Sequence, residues 1–139
     1  MSESMAVGRG SLVFLRAAVA LQTALVFLSP VTAGVMLSAP EWHLLHSAAS
    51  YGLFAAALVH LAAAVLVWRP GGGPPGPALS ALVFLGGVLA QVGLGVAGVP
   101  ALHVPLGVLL FAASVLQLCR VWGVLGRPRL TIGAGASSV

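Results

Sequence analysis

The sequence predicts an all-α integral membrane four-helix bundle, built of two pseudo-symmetric hairpins with both termini on the inner side. Three observations carry this. Of 139 residues, 60% are hydrophobic and only 6% charged, whereas a soluble domain needs roughly a quarter charged residues to cover its surface. Four apolar runs each reach the ~20 residues that a membrane-crossing helix requires. The six Arg, with no Lys anywhere, fall at the ends of those runs that share one side, as the bias of cytoplasmic loops towards positive charge demands.

The first run spans about residues 12–37, with Arg16 one turn inside its start and Pro30 as an expected kink. Its length exceeds a cleavable signal segment, so it is read as retained. The second spans about 42–68, the third about 78–98 and the fourth about 102–125. Breakers separate them: Ser38-Ala39-Pro40, the Gly/Pro run from Pro70 to Pro77, and Gly98-Val99-Pro100. The Gly/Pro run reads as a stiff, solvated connection. Residues 1–130 form one domain, and the tail 131–139 is small and polar enough to be disordered. Trp42 falls at the outer interface and Trp68 and Trp122 at the inner one, where amphipathic rings prefer to sit.

Several function classes drop out. The high isoelectric point, about 11.3, comes from scattered Arg rather than a clustered basic face, so it does not indicate nucleic acid. The single Cys119 excludes a disulfide framework within the chain and reads as a small core residue. No serine, cysteine or acid–base pair supports a hydrolase, and no electron donor, acceptor or substrate is legible.

The second and fourth helices are internal copies. A shift of 57 residues superposes His46 on His103 and Phe54 on Phe111, and sets His60 on Gln117. Helical spacing then gathers His46, Ser50, Leu53, Ala57 and His60 on one face. His103, Gly107, Leu110, Ser114 and Gln117 form the matching face. Polar residues in lipid are expensive and normally point into the bundle, so the two stripes are expected to face each other. On the third helix Gly86, Ala90, Gly93 and Ala97 share a face, with Gly95 nearby. Such small residues allow close helix packing and equally leave room for a flat cofactor.

Two His at matched depth on paired helices form a recognisable way to hold a haem iron by two axial bonds. The helix N-termini beside them suit the haem propionates. Gly93, Gly95, Gly107 and Ser50 are the small residues expected around such a group.

The stretch Gln91-Val92-Gly93-Leu94-Gly95-Val96-Ala97-Gly98, followed by Leu102-His103 and an apolar helix, resembles haem A synthase over one four-helix half of that eight-helix family. Glu41 to His46 is similar to the family's acidic residue ahead of a ligand His, at a spacing of five residues rather than three. The same layout is shared by small four-helix membrane proteins of the b-type cytochrome kind. The resemblance implies His46 and His103 as axial ligands of one haem b near the outer face of a bacterial inner membrane. Because the first outer loop carries no Cys pair, haem binding carries over rather than haem A synthesis.

Other readings stand beside this one. His46 and His103 also suit interhelical hydrogen bonding in a non-haem accessory subunit of a larger membrane or respiratory complex. His43, His46 and His103 form a thin candidate set for a transition metal. His60 lies at a spacing suited to a second haem, but its counterpart Gln117 is no haem ligand, so that haem would need a homodimer or another subunit. A hydrogen bond from His60 to Gln117 is the expected arrangement. The orientation is directly testable: a cytoplasm-dependent fluorescent reporter fused after Val139 is expected to be active, and activity of a periplasm-dependent reporter there would reverse the topology.

Overall fold

A computed structural model describes residues 2–123. It comprises α1 (Ser2–Ser38), a single 3-10 turn (Pro40–Trp42), α2 (His43–Trp68), α3 (Gly76–Val96) and α4 (Pro100–Val121). All four helices are long and apolar enough to cross a membrane. Arg127, Arg129 and the tail read as disordered lie outside the described residues.

Local chemistry sets the boundaries. Helix α1 starts about ten residues before the expected position, because nothing between Ser2 and Leu12 breaks it and propagation costs little once a helix has nucleated. It continues through Pro30, whose missing N–H leaves the Val26 carbonyl without its intrahelical partner. At Ala39 the chain turns extended (φ −145°), as the residue before a proline tends to. Arg69, which precedes Pro70, ends α2 in the same way at φ −139°.

The Gly/Pro connection is less passive than its composition suggests. Gly71, Gly72 and Gly73 donate backbone N–H bonds to the carbonyls of Leu66, Trp68 and Val67, closing the end of α2. A Cβ at Gly73 would lie 2.8 Å from the Val67 carbonyl oxygen. Helix α3 ends with Gly98 in the left-handed region (φ +66°). There Val99 N–H bonds to Leu94 O at 3.0 Å and Gly98 N–H to Gly95 O at 3.2 Å, the paired bonds of a Schellman ending. Pro100 then opens α4 at a position where its missing N–H costs nothing. Helix α4 stops at Val121, four residues short of expectation, as Gly123 takes φ +74°.

Packing follows from the short connections. Helix α1 lies against α2 and α4, α3 also lies against α2 and α4, and α2 and α4 face each other diagonally. Their polar stripes therefore point towards the bundle axis: Leu53, Ala57, His60, Leu110, Ser114 and Gln117 are all buried. The small-residue face of α3 departs from expectation. Gly86, Ala90, Gly93 and Ala97 are exposed, and α3 buries Ala78, Ala81, Phe84, Leu85 and Val88 instead. Bulky residues fill the wide diagonal core, while small apolar ones can face lipid without penalty.

The core has two apolar slabs. One contains Leu15, Ala18, Val19, Ala63, Ala64, Ala78 and Ala81, and the other Val26, Leu53, Ala57, Phe84, Leu85, Val88 and Leu110. Between them runs a hydrogen-bonded chain. His60 Nδ1 donates to Gln22 Oε1 (2.9 Å), Gln22 Nε2 to Gln117 Oε1 (3.0 Å), and Gln117 Nε2 to the Ser80 carbonyl (3.1 Å). Every helix contributes one member. Thr23 adds a weaker link from α1 to the Ser114 carbonyl at 3.3 Å. At the inner end Arg16 Nε donates to Val121 O (3.3 Å) with its guanidinium 5.5 Å from the centre of the Trp122 ring. A cation is favoured there by the negative end of α4.

Gln22→Leu strands the His60 N–H and the Gln117 oxygen, and an interhelical bond in a membrane protein is worth about 1–2 kcal/mol at most. Unfolding in detergent is expected to show a loss of about 1–2 kcal/mol for this variant. Leu21→Ala, on the lipid face at 52% exposure, should change stability by no more than about 0.5 kcal/mol. Equal effects of the two substitutions would contradict the chain's role.

Candidate functional site

The tight turn Ala97–Val99 folds α4 back along the end of α3. His103, the fourth residue of α4, is thereby laid against Gly95 and Gln91. A Cβ at Gly95 would sit 3.1 Å from His103 Cε1, so the glycine gives the imidazole its place. His103 Nδ1 lies 2.9 Å from the Gln91 carbonyl oxygen. A carbonyl only accepts, so Nδ1 carries a proton, and in the neutral ring Nε2 keeps the lone pair.

His46 is likewise the fourth residue of its helix. Its Nδ1 is 3.0 Å from the Thr32 hydroxyl, which also bonds the Ser29 carbonyl at 3.0 Å. The hydroxyl has one proton for these two partners; given to the Ser29 carbonyl, it leaves the oxygen to accept from His46 Nδ1–H. Assigned from the hydrogen-bond network in this way, both histidines hold the same tautomer. Their ring centroids are 6.5 Å apart with planes at 71°. The site therefore presents two imidazoles, each tied down through Nδ1, and each neutral ring protonated there has an Nε2 lone pair left over.

The remaining expected residues take different places. His43 is exposed at the start of α2, so His46 and not His43 meets His103. Ser50 donates to the His46 carbonyl at 2.9 Å, a bond within its own helix. Gly107 accommodates Gln91, whose Nε2 would be 3.0 Å from a Cβ there. Gly93 faces outwards with nothing within 4 Å of its Cβ position, because it lies on the exposed face of α3. Glu41 is exposed in the 3-10 turn. His60 reaches Gln117 only through Gln22, so the direct bond expected between them is replaced by a relay.

Two contributors were not singled out from sequence, Thr32 and Gln22, and Gln91 was quoted only as the first residue of the stretch that precedes His103. Gln22 and Thr32 are polar positions in a largely apolar run. A search of the first helix for residues at the depths of the two polar stripes would have found both. Gln91 Oε1 stands out by its chemistry. It is buried without a hydrogen-bond partner, a condition that costs about 1–3 kcal/mol, and it belongs to the residue that anchors His103.

Among the described residues no group of three or more His, Cys, Asp or Glu is placed to hold a metal ion. The His43, His46 and His103 set is not assembled. Comparison with protein-family models, curated proteins and solved structures finds no match for this chain.

Proposed function

We propose that this membrane four-helix protein holds one haem b between α2 and α4, with His46 and His103 as its axial ligands, for electron transfer or haem handling. The observation that carries the reading is the imidazole pair: two diagonal helices, the same tautomer, and two free Nε2 lone pairs. The two rings are neighbours, with centroids 6.5 Å apart.

The number of ligands also discriminates. A bare zinc or copper ion takes three or four protein ligands, whereas the macrocycle of a haem supplies all but the two axial ones. Two histidines with no third His, Cys or carboxylate grouped with them among the described residues suit the haem.

The surroundings bear on the same reading. Neither α2 nor α4 has a side-chain cap at its start, and backbone carbonyls take several of the N–H groups there: His43 N–H bonds to Pro40 O, and the N–H groups of Leu102 and His103 bond to Val99 O. The unpartnered Gln91 oxygen marks a polar position that the protein alone leaves unfilled. Below the histidines, Phe84, Leu85, Val88 and Leu110 form a dry floor. When bound, haem supplies reversible one-electron chemistry to such a site. The protein's part is to hold both imidazoles in place, keep them neutral ligands and exclude water from the inner side.

The visible spectrum of protein purified after expression with ample haem tests this. A low-spin spectrum unresponsive to carbon monoxide is expected, because both axial positions are taken. His46→Ala and His103→Ala should each empty the site or turn it high-spin and able to bind carbon monoxide. His43→Ala should leave the spectrum unchanged. A colourless wild-type protein would overturn the reading and leave the pair as packing residues of an accessory subunit.

A further inference from the structure

We infer that Thr32 is a positioning residue that sets the tautomer of His46 and thereby makes its Nε2 a metal ligand. The two imidazoles are anchored by unequal means. His103 donates to a main-chain carbonyl, that of Gln91 in the interior of α3, an acceptor that no side-chain substitution removes. His46 donates to a side-chain hydroxyl on a different helix, and that acceptor is a matter of one oxygen atom.

The Thr32 oxygen is well held for the task. It is 7% exposed, its β-branched side chain is stiff at χ1, and its own proton is committed to the Ser29 carbonyl three residues back. The hydroxyl cannot turn that proton towards His46 without abandoning this bond. While that bond holds, the oxygen acts as an acceptor towards His46, and Nδ1–H is the tautomer that satisfies it. A neutral imidazole without such an acceptor favours the opposite tautomer, with the proton on Nε2, where it blocks ligation. Hydrogen-bond partners of this kind orient metal-ligating histidines.

The ligand half of this inference rests on the haem reading, whereas the tautomer half does not. The first measurement is therefore made on haem-free protein with 15N-labelled histidine, with the His46 signals assigned by their loss in His46→Ala. Wild type and Thr32→Ser are expected to show Nδ1–H, and Thr32→Val to shift His46 to Nε2–H or a mixture. His103 and His60 signals should stay in place, which shows that the fold is intact. Thr32→Ala serves the same purpose if the valine variant fails to fold.

In haem titration, Thr32→Val should then bind about 10–100-fold more weakly than wild type, with Thr32→Ser restoring affinity. Retention of Nδ1–H at His46 in both the valine and alanine variants would overturn the inference, whatever the haem content. A tautomer shift in Thr32→Val, together with a wild type that takes up no haem, would uphold Thr32's control of His46 and overturn its role in ligation.

Discussion

The hydrogen-bonded chain from His60 through Gln22 and Gln117 to the Ser80 carbonyl fixes the helices against one another, and the geometry at the outer end depends on it. Apolar side chains give little directional information in lipid, since the tails are as apolar as the residues they touch. A one-turn slip of any helix, about 5.4 Å, would break a bond in the chain and strand a polar group in hydrocarbon. The spacing from His46 to His60 is 14 residues, and so is that from His103 to Gln117. Each interval spans about 21 Å of helix. Two rigid helices pinned at equal positions therefore bring both outer histidines to the same depth, with the rings 6.5 Å apart.

The inner and outer polar layers differ in how completely they satisfy themselves. In the inner layer Gln22 and Gln117 each use the amide oxygen and an N–H to link neighbouring helices, which is the behaviour of a structural network. In the outer layer Thr32, His46, Gln91 and His103 again give one residue from each helix, and the two histidines are anchored through Nδ1. They leave two imidazole lone pairs and the Gln91 oxygen unspent. The apolar slab of Phe84, Leu85, Val88 and Leu110 keeps the two layers from exchanging partners.

Much of this was legible in the sequence because membrane helices announce themselves by length and by where the Arg fall. The stripes on α2 and α4 were readable from helical spacing, and the 57-residue repeat pointed to His46 with His103. Other features depended on tertiary choice. The glycine face of α3 looked like a packing surface, yet Phe84 and Leu85 fill the diagonal core better and turn Gly86 and Gly93 outwards. Gln22 and Thr32 belong to neither repeat stripe, so periodicity gave no reason to connect them with residues on α2. The role of Gly95 emerges only when the His103 ring is seen against it. The choice between His43 and His46 turned on where α2 begins, a boundary that composition leaves loose by several residues.

The most direct measurement of the central claim is the low-temperature electron paramagnetic resonance spectrum of the oxidised, haem-loaded protein. Two neutral imidazoles on one ferric iron give a low-spin signal whose anisotropy grows as their planes approach a right angle. With His46 and His103 planes at 71°, the expected result is a highly anisotropic low-spin signal with a single large g value dominating. A high-spin signal, or the well-resolved rhombic signal of parallel imidazoles, would contradict the pairing of His46 with His103.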